Sequence, residues 1–225
     1  MHSFDDLSHR MNIKTRIVHI EKGYIYHIYN QGNNKQNIFF ERENYLFFLK
    51  KMRAYILPYG DLLAWCLMPN HFHLMVLVNE VTVTVDVEPR ATVGVTLSDT
   101  DGSQINRTIN QSIGIMLRSY TRAINKQRNR TGKLIREKTK AECVNCPMGI
   151  SPSFIVSQGI TIVNSKPSHK QYPQVCFNYI HENPVKAKLV KSKTDWEFSS
   201  ARDYAGLRKG KLASRDVANN YLIIQ

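Results

Sequence analysis

The chain has few cysteines, and their spacing is not that of a disulfide framework. Its 225 residues include only four, Cys66, Cys143, Cys146 and Cys176. Small secreted domains that depend on disulfides carry more cysteines in a shorter chain, so we expect an intracellular protein in a reducing compartment. Cys143 and Cys146 form a lone Cys-x-x-Cys, and a structural zinc site of this type needs a second pair. We therefore interpret that motif as incidental.

Long apolar runs are also missing. Residues 1–22 mix polar and charged side chains and lack the apolar segment of a signal peptide. No run approaches the roughly 20 apolar residues that a membrane-spanning helix requires. The composition is nevertheless 42% hydrophobic and 10% aromatic, which is enough for a substantial core. We predict a cytoplasmic protein with a single domain over 23–204, an N-terminal extension over 1–22 and a basic C-terminal tail over 205–225.

Net charge is absent from the first half of the chain. Residues 1–117 hold 11 basic and 11 acidic side chains, whereas residues 118–225 hold 20 basic and 7 acidic ones and carry the whole net charge of +13. A field of one sign attracts a polyanion, and nucleic acid is the commonest polyanion in a cell. The alternative is a basic face kept for solubility. An anionic membrane is disfavoured, because no amphipathic helix with a bulky apolar face accompanies the charge.

Hydrophobic periodicity predicts an alternation of strands and helices. The predicted elements are a strand over 23–29, a helix over 41–56, a hairpin of strands 62–67 and 71–78, a helix over about 106–128, a strand within 133–144 and a helix over about 170–182. The last helix is expected to end at Asn183, because the residue before a proline is disfavoured in a helix. This order predicts an α+β fold, a ferredoxin-like antiparallel sheet with helices packed on it. Two β-prone insertions, at about 80–105 and 145–168, interrupt it.

Two histidines form the most specific local pattern. His71 and His73 flank Phe72 in a predicted strand, so their side chains lie on the same face. Neighbouring imidazoles can hold a divalent metal, although two separately hydrogen-bonded core histidines would have the same spacing. Asn183 follows Tyr179 by four residues, one helical turn, so both could reach one metal-bound phosphate. An amide oxygen suits a hard cation, so Asn183 is a candidate third ligand for Mg²⁺ or Mn²⁺.

Several segments together resemble one family. They are 26–34, the Met-Pro-Asn-His-Phe-His-Leu run at 68–74, the basic helix at 118–125 with 130–132, the Tyr-Ile-His-Glu-Asn-Pro-Val-Lys-Ala run at 179–187, and the Trp-x-x-Ser-Ser tail within 195–200. In this order they resemble the HUH single-tyrosine transposases, and in particular the REP-associated tyrosine transposases. The histidine and tyrosine segments are specific in combination, although neither is specific alone.

The resemblance implies a metal-dependent endonuclease that cleaves and rejoins single-stranded DNA at hairpin or repeat sequences. Tyr179 would be the nucleophile and would become joined to the 5′ phosphate, leaving a free 3′ hydroxyl that can later reseal the strand. His71, His73 and Asn183 would bind the divalent metal, since a phenol with a pKa of about 10 needs an activated target at neutral pH. The expected setting is the bacterial cytoplasm, with association to the nucleoid when DNA is bound, as a monomer or homodimer.

Basic side chains are the candidate DNA contacts. They are Arg118, Arg122, Lys126, Arg128, Arg130 and Lys133. Such contacts would provide salt-dependent affinity without reading bases.

Other residues are given a structural role. Tyr120 is the rival nucleophile, but it shares an apolar stripe with Ile113 and Met116 that indicates packing. His27 is interpreted as a satisfied core histidine and Trp196 as a packing anchor. Ser199 and Ser200 could cap a helix or contact DNA.

Two other functions compete with the transposase-like one. A DNA- or RNA-binding module that keeps the fold but has lost catalysis, acting as a regulator, would explain the charge. The joint presence of His71, His73, Tyr179 and Asn183 argues against such decay. A zinc-dependent hydrolase with a structural Tyr179 is the other alternative, but no carboxylate motif accompanies the histidines to serve as a ligand or general base.

Overall fold

The structure, a computed structural model, describes residues 20–86, 104–146, 154–157, 160–163 and 172–224. Its strands and helices are, in chain order, β1 (Ile25–Gln31), α1 (Arg42–Tyr55), β2 (Gly60–Met68), β3 (His71–Val78), β4 (Thr82–Asp86), β5 (Gln104–Thr108), α2 (Ile109–Gln127), β6 (Lys140–Cys143), β7 (Phe154–Ser157), β8 (Ile160–Val163), α3 (Tyr172–Lys186), α4 (Ala201–Tyr204) and α5 (Arg215–Ala218). The predicted extension over 1–22 lies almost wholly outside these ranges, and so does more than half of the second predicted insertion at about 145–168.

The central sheet has four antiparallel strands in the order β2-β3-β1-β6. With α1 after β1 and α2 before β6, this is the strand order of a ferredoxin-like fold, so the predicted fold class is confirmed. The apolar run at the end of β3 is buried on both sides, which is typical of a strand in the middle of a sheet. The register pairs Gln31 with His71 and Tyr29 with His73.

The sheet separates two apolar layers, because successive side chains of a strand point to opposite faces. On one face α1 and α2 pack against side chains that include Phe72 and Leu74 of β3. On the other face α3 contributes Phe177 and Ile180 to a cluster with Met75 of β3. By this alternation His71 and His73 lie on the face that α3 covers.

The second predicted helix begins later than the sequence indicated. Residues 104–108 form β5, which pairs with β4, and α2 starts at Ile109. Thr108 ends the strand and caps the helix, since its hydroxyl accepts a hydrogen bond from the Gln111 amide. The outer part of the first predicted insertion, 87–103, lies outside the described residues. The predicted strand within 133–144 is reduced to β6, and 133–139 is irregular.

The prediction that the third helix ends at Asn183 is wrong. Helix α3 continues through Pro184 to Lys186. Backbone hydrogen bonds run past the proline, from the Ala187 amide to the Asn183 carbonyl and from the Leu189 amide to the Pro184 carbonyl, both 2.9 Å. Pro184 lacks only the amide donor of its own position, and its ring is buried. Asn183 therefore stays helical, one turn after Tyr179.

The Trp-x-x-Ser-Ser segment is a structural joint. The Trp196 indole nitrogen donates to the Leu67 carbonyl at 2.9 Å, which confirms a packing role. Ser199 and Ser200 are fully buried, and the Ser200 hydroxyl accepts a hydrogen bond from the Trp65 amide at 2.9 Å. Ser200 precedes α4, but its side chain does not cap that helix. Neither serine is available for the DNA contact considered from the sequence.

The chain after α4 returns to the sheet. Leu212, Ala218 and Leu222 are buried in the two apolar layers, and the Ser214 amide donates to the Leu62 carbonyl at 2.8 Å. Much of the segment predicted as a tail thus packs against β2.

Cys143 and Cys146 are joined by a disulfide directly after β6. The interpretation of this motif as incidental is therefore wrong, because the chain turns between the two residues and brings their Cα atoms to 5.7 Å. Cys66 and Cys176 are free and buried. In the part of the chain that the structure describes, no helix is both long and apolar enough to cross a membrane.

Candidate active site

His71 and His73 lie at the start of β3, beside the C-terminal end of β1. The loop after β1 is held against this end of the sheet, since the Gly32 amide donates to the Asn70 carbonyl at 2.7 Å. A Cβ atom at Gly32 would collide with the Gln36 carbonyl, so only glycine permits this close turn. The predicted pair of histidines thus shares one face of a rigid strand.

Each of the two histidines has its Nδ1 atom held by a neighbour. His71 Nδ1 lies 2.6 Å from Asn70 Oδ1, and His73 Nδ1 lies 2.9 Å from His27 Nε2. The His73 side chain is only 5% exposed. Its Nε2 atom is buried and has no hydrogen-bond partner among the described residues. A buried nitrogen without a partner is unfavourable unless a ligand satisfies it.

Helix α3 brings Tyr179 over these histidines. The Tyr179 ring meets His73 edge to face, with centroids 5.4 Å apart, and His27 at 6.0 Å. Its side chain is nevertheless 40% exposed. Asn183 hydrogen-bonds with both Tyr179 and His71, and its Nδ2 also donates to the Tyr179 carbonyl at 2.8 Å. The histidine strand and the tyrosine helix, 106 residues apart in sequence, therefore form one cluster.

Burial sets the charge of this cluster. It lowers the pKa of His71, although the hydrogen bond with Asn183 opposes the shift, and it lowers the pKa of His73 well below the ordinary value. Burial also lowers the pKa of His27 to about 4. The three imidazoles are therefore neutral at pH 7, which is the form that can ligate a metal. Burial raises the pKa of Tyr179, and the hydrogen bond with Asn183 opposes that rise.

The residues of this cluster fit a divalent cation. The buried Nε2 atom of His73 has no hydrogen-bond partner among the described residues and could give its lone pair to a cation. The Asn70 contact occupies His71 Nδ1 and so leaves His71 Nε2 as the nitrogen that could coordinate. Asn183 adds an amide oxygen. Within the described ranges no three His, Cys, Asp or Glu side chains converge into a metal site, so the candidate set is two imidazoles and an amide. A cation bound there would keep open positions for water or phosphate.

A pocket of about 240 Å³ opens beside the cluster. Its lining comes from β1, β3, α3 and the segment before β6, and comprises Tyr29, Asn30, Gln31, His71, His73, Arg136, Lys138, Lys140 and Tyr179. The segment is anchored to β1, because Asn30 Nδ2 donates to the Arg136 carbonyl at 3.0 Å and to Thr139 Oγ1 at 2.9 Å. The basic residues of the pocket, Arg136, Lys138 and Lys140, are exposed. A pocket with a half-exposed tyrosine and three cationic side chains suits a phosphate-bearing ligand.

The predicted DNA-contact residues are not all near this pocket. The basic residues of α2, Arg118, Arg122 and Lys126, are exposed. The buried side of this helix packs on the opposite face of the sheet. Beyond the helix, Arg128 stacks over Phe40 at 4.2 Å, and Arg130 Nη2 donates to Gln36 Oε1 at 2.8 Å. Lys133 pairs with Glu137 at 2.9 Å. The basic track therefore leads from α2 around the end of the sheet towards the pocket.

The rival nucleophile is placed in the core. Tyr120 is fully buried, and its hydroxyl donates to the Ile38 carbonyl at 2.7 Å. Burial raises the pKa of Tyr120 far above its ordinary value. Tyr120 therefore has the packing role that its apolar stripe predicts.

Sequence reasoning did not assign a site role to several residues of the cluster. Tyr29 lines the pocket and donates to Glu142 Oε1 at 2.6 Å, and the Lys186 ammonium lies 5.2 Å from the Tyr179 ring centroid. The basic residues of the pocket are spaced two apart in sequence, which in an extended segment puts their side chains on one side. That spacing could have identified them, whereas the contact of His27 with His73 depends on how β1 and β3 pair.

Searches of protein-family models and of curated proteins find no match for this chain. Among solved structures, the chain is similar to a REP-associated tyrosine transposase bound to a REP hairpin. The similarity covers 84% of this chain and 82% of that chain, with 17% sequence identity and a TM-score of 0.48. That neighbour is of the family that the sequence motifs resemble.

Proposed function

We propose that this protein is a metal-dependent, transposase-like endonuclease that cleaves and rejoins single-stranded DNA through Tyr179. The observation that carries the proposal is the position of the half-exposed Tyr179 ring, 5.4 Å from that of His73, whose buried Nε2 has no partner among the described residues. Metal-assisted phosphoryl transfer needs a nucleophile beside a nitrogen that is free to coordinate a metal. The motif resemblance favours hairpin-forming DNA as the substrate.

The chemical step conserves the number of phosphodiester bonds. The Tyr179 phenol oxygen attacks the scissile phosphorus, its proton passes to solvent, and the bond from phosphorus to the 3′ oxygen breaks. The 3′ oxygen leaves as a hydroxyl after taking up a proton, and the 5′ phosphate stays on Tyr179. Attack by another 3′ hydroxyl on this phosphotyrosine reverses the step, joins the strands and needs no ATP.

His71, His73 and Asn183 would hold the cation, with Mg²⁺ or Mn²⁺ preferred because an amide oxygen suits a hard ion. When bound, the cation would supply Lewis-acid polarisation of the scissile phosphate. The protein's own contribution is orientation. Asn183 touches both His71 and Tyr179, so it can align the nucleophile with the ligand set.

The basic track would hold the DNA. The three basic residues of the pocket lie where the reacting DNA strand would pass to reach Tyr179. We propose that Arg118, Arg122, Lys126, Arg128, Arg130 and Lys133 act farther from the chemistry, on the rest of the nucleic acid. Contacts of this kind add affinity that falls with salt.

The test is adduct formation on a pool of 5′- and 3′-labelled single-stranded DNA hairpins in Mn²⁺. The wild type should form a denaturant-stable protein–DNA adduct through the 5′ side of the break. Tyr179→Phe and His71→Ala should abolish it, because the first removes the nucleophile and the second a metal ligand. Tyr221→Phe is a matched control, since Tyr221 has the same 40% exposure and lies in the C-terminal segment.

Cleavage that persists in Tyr179→Phe would refute the proposed nucleophile and favour a metal-bound water. Activity confined to Zn²⁺ would favour the hydrolase alternative. Tight, salt-sensitive binding of the pool with no adduct in any metal would refute the enzyme and favour a binding module.

A further inference from the structure

His27 lies in the middle of β1 and its side chain contacts His73, one of the two predicted metal-ligating histidines. Its Nε2 atom is 2.9 Å from His73 Nδ1, and the side chain is 8% exposed. The sequence predicts a satisfied core histidine here. The structure shows what satisfies it, and the partner is a proposed metal ligand.

The contact between the two imidazoles constrains where their protons lie. A neutral imidazole has one nitrogen that donates and one that accepts. For His73 Nε2 to coordinate a cation, its proton must sit on Nδ1, which then donates to His27 Nε2. His27 must in turn carry its own proton on Nδ1. A cation on His73 Nε2 therefore selects one direction of this hydrogen bond, and with it both tautomers.

The surroundings keep His27 in this position. Its ring stacks on Tyr29, with centroids 4.7 Å apart and planes inclined by 28°. The His27 and His73 rings are 5.0 Å apart, inclined by 25°. Both strands are fixed by the central pairing of β1 with β3. A buried ring that stacks on its neighbours and projects from a paired strand has little freedom to rotate away from His73.

The other predicted ligand is held in the same way. His71 Nδ1 lies 2.6 Å from Asn70 Oδ1, an atom that can only accept. His71 must therefore donate from Nδ1, and its Nε2 is the nitrogen left to coordinate. The two histidines thus present the same nitrogen, one held by an amide and the other by an imidazole.

We propose that His27 is a positioning residue, which holds His73 as the Nδ1-protonated tautomer with Nε2 turned to the divalent cation. The proposal rests on the proposed function, because the hydrogen bond by itself would also allow His27 Nε2 to donate to His73 Nδ1. Hydrogen-bond partners of this kind raise the affinity of a metal site by about 10- to 100-fold.

Two variants separate the hydrogen bond from the packing. His27→Gln keeps an acceptor for His73 Nδ1, whereas His27→Leu fills similar space without one. The first measurement is the tautomer of His73 in metal-free protein, by long-range ¹H–¹⁵N NMR correlation. We expect the Nδ1-protonated form in the wild type and in His27→Gln, and loss of that preference in His27→Leu.

The second measurement is Mn²⁺ binding, by titration with electron paramagnetic resonance detection. We expect the dissociation constant to rise about 10- to 100-fold in His27→Leu and to stay within a few-fold of wild type in His27→Gln. Thermal unfolding of each variant checks that the fold is kept. If His27→Leu does not fold, the wild-type tautomer and the affinity of His27→Gln still decide.

A wild-type His73 protonated on Nε2 would overturn the proposal, and so would a His27→Leu variant with unchanged tautomer and Mn²⁺ affinity. Failure of the proposed function has a different signature. In that case the wild type would bind no Mn²⁺ that His71→Ala removes, while the tautomer measurement would still report on His27.

Discussion

Tyr179 is the residue where burial and reactivity conflict. Burial disfavours its phenolate and raises its pKa, while the hydrogen bond with Asn183 acts in the opposite sense. Lys186, two turns later on α3, has its ammonium 5.2 Å from the Tyr179 ring centroid. A cation at that distance stabilises negative charge that develops on the phenol oxygen. In the proposed mechanism Lys186 would therefore favour the deprotonated form of Tyr179.

Replacing Lys186 tests this contribution. Lys186→Met keeps a long side chain and removes the charge, so we expect adduct formation to slow by about 2- to 10-fold, as for the loss of roughly 0.5–1.4 kcal/mol of cation–ring interaction. The measurement is the single-turnover rate at saturating DNA. Lys191→Met, an exposed lysine after the helix, is the control and should react at the wild-type rate.

At the scale of elements, Ser200 joins three of them. Its hydroxyl accepts from the Trp65 amide of β2 at 2.9 Å and lies 2.7 Å from His181 Nε2 of α3, while the backbone around it leads into α4. This joint, together with the Phe177 contacts, fixes α3 over the sheet and so fixes Tyr179 over the histidines. Ser200, which the sequence left between capping and DNA contact, therefore positions the site helix. The Ser199 hydroxyl instead accepts from the Ala201 amide, at the start of α4, at 3.1 Å.

Ser200→Ala should therefore destabilise the fold. It leaves a buried amide and a buried imidazole without their partner, so we expect a loss of about 1–3 kcal/mol in the free energy of unfolding. Urea denaturation measures this loss. Ser119→Ala is the matched control, because among the described residues the Ser119 hydroxyl bonds only to the Met116 carbonyl of its own helix, and alanine favours helix. Equal midpoints for the two variants would contradict the joint.

At the scale of the whole molecule, positive charge extends from the α2 face of the sheet around its end to the pocket. The neutral first half supplies both predicted metal-binding histidines, and the second half supplies the net charge of +13 together with Tyr179 and Asn183. Strands β1 and β3 come from the first half, and α3, which packs on them, comes from the second. The proposed active site therefore lies where the two halves meet.

The basic residues of α2 and the basic residues of the pocket can be compared directly, because each set has three charges. Replacing Arg136, Lys138 and Lys140 together with glutamine should lower both the affinity for hairpin DNA and the yield of adduct. The slope of log affinity against log salt should fall by about 2 to 3 if all three contact phosphates. The same change at Arg118, Arg122 and Lys126 should lower affinity but leave single-turnover adduct formation at saturating DNA unchanged. Binding is measured by fluorescence anisotropy across a salt series. Equal loss of adduct rate in both variants would contradict the assignment of the reacting strand to the pocket.

Buried histidines give the fold a pH dependence. Burial lowers the pKa of His27 to about 4 and that of His181 to about 3, whereas both are near 6.5 in the unfolded chain. Below pH 6.5 the unfolded chain therefore binds more protons than the folded one, and stability falls as pH is lowered towards these values. We expect metal-free protein to lose at least about 2 kcal/mol of unfolding free energy between pH 7 and pH 5. Urea denaturation at several pH values measures it, and His181→Gln should show a smaller slope. A flat profile would contradict the buried, neutral histidines.

Local patterns predicted the order of elements in the central sheet and several residues that the structure brings together beside the pocket. Alternation placed His71 and His73 on one face of β3, and helical spacing related Tyr179 to Asn183, because both periods are properties of the backbone alone. Charge counting located the basic half. Local patterns failed at Pro184, where burial and continuing backbone bonds outweigh the proline, and at residues 106–108, where pairing with β4 outweighs helical spacing.

Only tertiary structure decided which side of the sheet each helix covers. That choice depends on the total apolar area each face can bury, which is a property of all the strands together. It places α3 and Tyr179 with the histidines and α2 with the opposite layer. The contact of His27 with His73 and the approach of Arg136 to the pocket likewise follow from strand register and chain reversal. The sequence by itself determined which side chains are candidates for the site, and packing determined which of them meet.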